Sequence, residues 1–276
     1  VKFVPFASFV DPAFWADLTD RKLRHWGLDD SAKLCVAGFV NHDPPGVPCR
    51  LSLDYQAFNN DVQTTGGTRK VIGHLLLTNT VEEFRNIDRK ALMHKFGDEI
   101  WSEIVQRRWM REPSVLNRFL LTVFANLKKF HYYYWLCAPA LCFPANIRLL
   151  KPSKPFDDKE LAQKCVKFSQ DNRTAAYAFL IVRQASKEAE LKPLTSLADP
   201  SVNIDEVTLV FADPSTQEAF PGWPLRNLLA ALAYEKPQWN HVNVVCLRQR
   251  FVDGQLDTSH SVVLDIGWDG MKELKA

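Results

Sequence analysis

The run of residues from Val207 to Leu247 constrains the fold of this chain more than any other part of the sequence. Residues typical of strands dominate at Val207 to Phe211 and again at Val242 to Leu247. Between them, Pro224 to Tyr234 predicts a helix, with proline at its first position. This order predicts a βαβ unit. The sequence alone leaves open whether its two strands are parallel neighbours.

The remainder of the C-terminal half predicts one more helix and two more strands. Asp158 to Phe168 has the pattern of a helix, and Tyr177 to Arg183 has that of a strand. Ser261 to Ile266 predicts a further strand, whereas the polar run Ala185 to Asp205 predicts a long loop.

The N-terminal half begins with a helix that Asp11 caps, Pro12 starts and Gly27 ends. Arg50 to Asp54 predicts a strand, and the polar run Asn59 to Lys70 predicts an exposed loop.

The strongest helical pattern of the chain runs from Thr80 to Met110. Thr80 and Glu83 have the spacing of a capping box, in which each side chain accepts a bond from a free amide at the helix start. Gly97 is the expected place for a bend or a division of this helix.

Phe119 to Phe124 and His131 to Leu136 predict the two strands of a hairpin, joined by the polar connection Asn126 to Lys129. Alternation sends successive side chains of the second strand to opposite faces. One face receives His131, Tyr133 and Trp135, and the other receives Tyr132, Tyr134 and Leu136.

The fold class predicted from these elements is α+β (mixed α/β), with helices packed on mixed sheets. Two lobes are expected, about 1–150 and about 156–276, and Lys151 to Pro155 is the predicted boundary between them. The length of 276 residues suffices for one large domain or for two small lobes that share a core.

Composition excludes several functional classes. The chain has 34 Lys and Arg against 32 Asp and Glu, so its net charge of +2 argues against a dedicated nucleic-acid binder. The most apolar run, Phe130 to Ile147, is interrupted by His131 and two prolines, so no membrane span is expected. Six dispersed cysteines without a signal-peptide pattern predict reduced thiols in a cytosolic or nuclear protein, and the expected location is the cytoplasm.

The loop of the βαβ unit, Ala212 to Gly222, is a poor phosphate site. It holds a single glycine at its end and two carboxylates, which repel anions. Cysteine and histidine spacing matches no zinc site either. No cofactor and no metal are therefore expected in this chain.

Two other chemistries stay open at this stage. Cys137 or Cys142 with His131 would give a cysteine-dependent enzyme, although a buried thiol beside a strand is the more common situation. Lys128 and Lys129 beside the aromatic strand would give an RNA- or single-strand-binding module, although strand aromatics usually pack in a core.

The run Pro221 to Asn227 combines a turn at Gly222, an aromatic at Trp223 and the helix start at Pro224. Arg226 is unexpected in the first helical turn, because a cation there opposes the helix dipole. Its position predicts a carboxylate partner, either inside the fold or on another protein.

The chain resembles the N-terminal domain of the autophagy-related protein 7 family, whose members are the activating enzymes for the ubiquitin-like proteins of autophagy. The resemblance covers nearly the full length and rests on ordered motifs: Phe6 with Phe14-Trp15, Thr78 to Thr80 before Glu83-Phe84, Phe124-Ala125 with Leu127 to Lys129, Tyr133 to Trp135, Pro139-Ala140, and Pro221 to Asn227. The chain departs from the family pattern at Asn126, at Leu77 and in Gly267 to Asp269.

The resemblance implies a domain that has no catalytic residues of its own. In the family, adenylation with ATP and the thioester cysteine belong to a C-terminal portion that has no counterpart here. The N-terminal domain recruits the conjugating enzymes, autophagy-related proteins 3 and 10, and the parent enzyme is a homodimer that also binds the ubiquitin-like proteins. The residues expected to bind a partner are Lys128, Lys129, Tyr132, Trp223 and Arg226.

Overall fold

The computed structural model describes residues 1–59, 67–183 and 188–270, and it confirms the α+β class. Two six-stranded mixed sheets carry five α-helices in these ranges. None of these helices is both long and apolar enough to cross a bilayer.

The first sheet has the strand order β1-β3-β2-β4-β5-β6. Its strands are β1 (Ala7–Val10), β2 (Lys33–Phe39), β3 (Arg50–Leu53), β4 (Arg69–Thr78), β5 (Arg118–Asn126) and β6 (His131–Cys137). The pairs β1–β3 and β4–β5 are parallel, and the pairs β2–β3, β2–β4 and β5–β6 are antiparallel. The predicted hairpin and the predicted strand at residue 50 are both confirmed.

Helix α1 (Pro12–Arg21) packs on one face of this sheet. The Asp11 side chain accepts a bond from the backbone amide of Ala13, as the sequence predicts. A π-helical turn (Lys22–Trp26) extends the helix, which ends at Gly27 with a left-handed φ of 56°. Phe14 and Leu18 of α1 are fully buried against the sheet.

The segment predicted as one long helix is two helices, α2 (Val81–Asn86) and α3 (Arg89–Val105), followed by a 3₁₀ turn (Arg108–Met110). The capping box of Thr80 and Glu83 is present. The chain divides at Ile87, before Asp88, whose carboxylate caps the amide of Ala91, rather than at Gly97. A second cap starts a second helix because it satisfies free amides there.

The second sheet has the strand order β7-β14-β11-β10-β8-β9. Its strands are β7 (Arg148–Pro155), β8 (Ala178–Val182), β9 (Glu190–Lys192), β10 (Val207–Ala212), β11 (His241–Leu247) and β14 (Val262–Gly267). A separate hairpin is formed by β12 (Arg250–Val252) and β13 (Gln255–Asp257). Helix α4 (Lys159–Asp171) covers one face of the sheet, and helix α5 (Pro224–Glu235) covers the other.

The βαβ unit predicted from the sequence is confirmed, because β10 and β11 are parallel neighbours joined through α5. The structure contains a second parallel crossover that the sequence did not predict, in which β4 leads through α2 and α3 to β5.

Lys151 to Pro155, the predicted boundary between the lobes, is the end of edge strand β7, which pairs with β14. Proline is tolerated there because an edge strand leaves outward amides unpaired. Of the loop predicted at Asn59 to Lys70, residues 60–66 lie outside the described ranges, and Arg69 and Lys70 already belong to β4.

Within the loop predicted at Ala185 to Asp205, residues 185–187 lie outside the described ranges. The remainder contains β9 and two 3₁₀ turns (Leu194–Ala198 and Ile204–Glu206) rather than structureless chain.

The largest hydrophobic cluster includes residues from both halves of the sequence. Ile100 and Ile104 of α3 and the fully buried Trp109 pack with α5 and with the strands of the second sheet. Helix α3 and the turn after it, which lie between two strands of the first sheet in the sequence, are therefore packed on the second half of the chain.

Candidate binding surface

The hairpin of β5 and β6 presents its connection to solvent at the edge of the first sheet. Lys128 and Lys129 are both exposed in this turn, and neither ammonium group bonds or ion-pairs with any residue of the described ranges. Phe130 follows in a left-handed conformation (φ 52°) with 72% of its surface exposed. Two unpaired cations and an exposed ring thus stand together at the end of the hairpin.

One face of β6 packs on helix α1. The rings of Trp15 and Tyr132 are stacked, with 4.7 Å between their centroids. The hydroxyl groups of Tyr132 and Thr19 share a hydrogen bond of 2.6 Å. Tyr134 contacts the ring of Trp15 from the same face, and its hydroxyl lies 3.4 Å from that of Ser8 in β1. Tyr132, expected to bind a partner, is therefore engaged within the fold.

The other face of β6 meets a basic side chain of α3. The guanidinium of Arg89 lies 5.4 Å from the ring centroid of Trp135 and 5.7 Å from that of Phe84. Tyr133, 46% exposed, stacks on Phe124 of β5. The face distribution predicted by alternation is confirmed by these contacts. Arg89 was not among the predicted site residues, because its neighbour Trp135 is distant in sequence.

We refer to Lys128, Lys129, Phe130, Tyr133, Trp135 and Arg89 as the hairpin surface. It combines three cations with three aromatic rings, which is the composition of recognition surfaces that bind acidic or aromatic segments.

Trp223 and Arg226 lie far along the chain from the hairpin turn and hold an internal segment in place. The indole Nε1 of Trp223 donates to the carbonyl of Ala138 over 2.7 Å, and Nη2 of Arg226 donates to the carbonyl of Leu141 over 3.1 Å. The Arg226 guanidinium also lies 5.2 Å from the ring centroid of Phe3. Among the described residues, its partners are a carbonyl and aromatic rings rather than the predicted carboxylate.

Asn227, the next residue of α5, bonds to the same segment. Its buried side-chain amide accepts from the backbone N–H of Leu141 and donates to the carbonyls of Pro139 and Leu116. In the sequence, a single polar residue within an apolar helix indicates a buried side chain that bonds to the backbone of another segment. Segment 138–141 is thereby held to the start of α5.

The loop between β10 and α5 is closed by a buried ion pair. Asp213 Oδ2 accepts from both Nε and Nη2 of Arg248, at 3.0 and 2.9 Å, and its Oδ1 accepts from the amides of Ser215 and Gly222. A carboxylate thus occupies the position before the helix where a nucleotide fold holds phosphate.

The cysteines show no nucleophile paired with His131. His131 and Cys137 stand at opposite ends of β6, about 20 Å apart at the rise of an extended strand. Burial raises the pKa of Cys137, and it raises the pKa of Cys165 to about 12, so thiolates are disfavoured. Cys142 is exposed.

No group of three or more metal-ligating side chains occurs within residues 1–59, 67–183 and 188–270.

Comparison with known proteins gives one consistent family. The sequence profile described as "Ubiquitin-like modifier-activating enzyme ATG7 N-terminus" matches residues 1–275. The chain is 35% identical to the human ubiquitin-like modifier-activating enzyme ATG7 and 33% identical to that of Gallus gallus, over 96% of this chain in each case. It spans 39% of the length of these relatives.

Solved structures show the same fold. The chain superposes on the Atg7 N-terminal domain of Kluyveromyces marxianus with a TM-score of 0.71 and 23% identity, covering 98% of this chain and 90% of the other. The same domain solved in complex with Atg10 matches with a TM-score of 0.69 and 23% identity, covering 99% and 89%.

Proposed function

The chain belongs to the ATG7 N-terminal family, and from this membership we propose that it is a docking domain of a ubiquitin-like-activating enzyme. In this proposal it recruits the conjugating enzymes of autophagy, autophagy-related proteins 3 and 10. The observation that carries the proposal is the match of the family profile over residues 1–275, in a fold shared with a domain solved as a complex with Atg10.

The domain acts by position rather than by chemistry of its own. Adenylation with ATP and thioester formation are assigned to a part of the enzyme outside this chain, and the enzyme works in the cytoplasm as a homodimer. A conjugating enzyme held on this domain has a high effective concentration near the activated ubiquitin-like protein, which accelerates transfer to its cysteine.

The hairpin surface is the proposed contact for the acceptor enzyme. Its cations Lys128 and Lys129 are free of ion pairs with described residues, so they lose no internal bond when they meet a partner carboxylate. Strand β6 is the last strand of its sheet and has one described strand neighbour, which fits addition of a partner strand. On the opposite face of β6, Tyr132 stacks on Trp15 and so holds the strand against helix α1.

Trp223 and Arg226 are proposed as a second, indirect determinant. Both are partly buried and bonded to segment 138–141, which follows β6 directly. Loss of either side chain is expected to disturb the chain at the end of the hairpin strand.

The test is a binding titration of this chain against each conjugating enzyme, with cross-linking to locate the contact. The double charge reversal Lys128→Glu/Lys129→Glu is expected to weaken affinity by about tenfold or more, which is about 1.4 kcal/mol or more. The matched control is Lys159→Glu/Lys167→Glu on α4, where both lysines are exposed and unpaired with described residues.

Two results would contradict the proposal. One is the absence of binding to either enzyme by the folded chain. The other is equal weakening by the hairpin and α4 variants, which would assign the effect to net charge rather than to the hairpin surface.

The basic and aromatic character of the same hairpin also fits single-stranded nucleic acid. Protein recognition is favoured, because the net charge of +2 provides little long-range attraction for a polyanion. Salt-sensitive binding of single strands at low ionic strength, lost in Lys128→Glu/Lys129→Glu, would reverse this preference.

A further inference from the structure

A polar cleft of about 570 Å³ lies away from the hairpin turn, where segments of both halves of the chain meet. It is bounded by the start of β4, by residues 111–114, by residues 169–177 at the end of α4 and beyond, and by Gln249. This volume is within the range of about 300–1,000 Å³ that is usual for small-molecule sites.

Arg69 supplies a buried positive charge in the wall of this cleft. Its Nε donates to the carbonyl of Ala176, and its Nη1 donates to Asn41 Oδ1 at 2.9 Å and to the carbonyl of Gly67 at 2.8 Å. All three acceptors are neutral, and no carboxylate of the described residues contacts this guanidinium.

A buried cation without a counter-ion is uncommon, because desolvation of a charge is normally compensated by an opposite charge. The same protein follows that rule at Arg248, which is buried with Asp213. Burial lowers the pKa of Arg69 to about 10, so the group still carries its charge at neutral pH.

Two more guanidinium groups line the cleft. Arg111 and Arg173 are exposed, and neither side chain bonds or ion-pairs with any residue that the structure describes. The carboxylate in the lining, Glu112, contacts Arg108 outside the cleft at 3.4 Å. The lining therefore has an excess of positive charge.

We propose that this cleft binds a small phosphate-bearing molecule. The guanidinium groups of Arg111 and Arg173 can each present two parallel donors that match the oxygens of phosphate. Arg69, whose Nε and Nη1 already donate to protein acceptors, adds its positive charge to the wall of the same space. The space is large enough for a phosphate ester or a diphosphate. This proposal is independent of the docking function, since none of its residues belongs to the hairpin surface.

The test is calorimetric titration of the chain with inorganic pyrophosphate and with glucose 6-phosphate, at constant ionic strength. Saturable binding of at least one of these probes is expected, with a Kd below about 1 mM. Arg111→Ala/Arg173→Ala is expected to weaken that binding by about tenfold or more. Both residues are exposed, so the variant is expected to keep its circular dichroism spectrum and its melting temperature.

The control is Arg24→Ala/Arg85→Ala, which removes two exposed arginines that do not line the cleft. Its affinity is expected to stay within about twofold of the original chain. Absence of saturable binding up to about 10 mM of both probes would overturn the proposal. Equal losses in the two double variants, or no loss in Arg111→Ala/Arg173→Ala, would overturn it as well.

Discussion

The indole of Trp15 lies nearly parallel to the ring of Tyr132, at an interplanar angle of 21° and a centroid separation of 4.7 Å. This pair joins helix α1 to β6, the edge strand that carries the hairpin surface. The same helix reaches β6 again through Thr19, so the orientation of the strand depends on residues near the start of the chain.

Tyr132→Phe tests the polar part of this connection. The variant keeps the stacked ring and loses the 2.6 Å bond to Thr19, so the free energy of unfolding is expected to fall by about 1 kcal/mol. Urea denaturation measures the change. Tyr133→Phe is the control: its hydroxyl bonds to no described residue, and its loss is expected to change stability by less than about 0.5 kcal/mol. Equal effects in the two variants would show that the Thr19 bond contributes nothing.

Asp213→Asn is expected to be among the most damaging single changes in the chain. It removes the negative partner of the buried Arg248 guanidinium, and breaking such a pair typically costs about 3–5 kcal/mol. Denaturant unfolding of Asp213→Asn and of the exposed control Asp30→Asn gives the comparison. A cost near that of the control would mean that the pair does not stabilise the loop before α5.

Trp223→Phe is expected to loosen the segment that follows β6. The variant loses the indole bond to the carbonyl of Ala138 while it keeps an aromatic ring, so hydrogen exchange at residues 138–141 should accelerate. Exchange in β10 and β11 should stay unchanged. Trp26→Phe, in which the replaced indole N–H bonds to no described residue, is expected to leave residues 138–141 unaffected.

The reactivity of the cysteines should follow their burial. Cys142 is exposed and is expected to react first with iodoacetamide at pH 8. Cys137 is half-buried, and because burial raises its pKa, its thiolate forms only at higher pH and its rate should keep rising above pH 9. The other four, Cys35, Cys49, Cys165 and Cys246, are expected to react only after unfolding.

Mass spectrometry of the labelled peptides distinguishes these rates. Rapid labelling of Cys137 near neutral pH would contradict a raised pKa, and it would favour a catalytic role for this thiol.

The parts of the fold that were predicted correctly are those whose sequence patterns lie within the element itself. The β10–α5–β11 unit, the β5–β6 hairpin and the capping box at Thr80 each depend on residues adjacent in sequence. At Lys151 to Pro155, lysine and proline are typical of domain boundaries and of protected edge strands alike, and only the pairing with β14 identifies the strand.

The long-range features were not predictable from neighbouring residues. The Arg226 guanidinium donates to a carbonyl from a distant segment and lies over the ring of Phe3, and its neighbours in sequence do not indicate either contact. The sequence pattern placed Arg69 in a polar loop. Its contacts to Ala176 and Asn41 form only in the folded chain, so neighbouring residues do not indicate them.

Near the start of the chain, the backbone of Val4 donates to the carbonyl of Pro221 at 2.8 Å and accepts from the amide of Trp223 at 2.9 Å. These bonds join residues that are separated by most of the sequence. During synthesis, residue 4 emerges from the ribosome long before residue 221 exists, so its backbone groups have no native partner until most of the chain has been made. The backbone around Val4 is consequently among the last parts of the chain to reach its native place, and it stays without these partners until then.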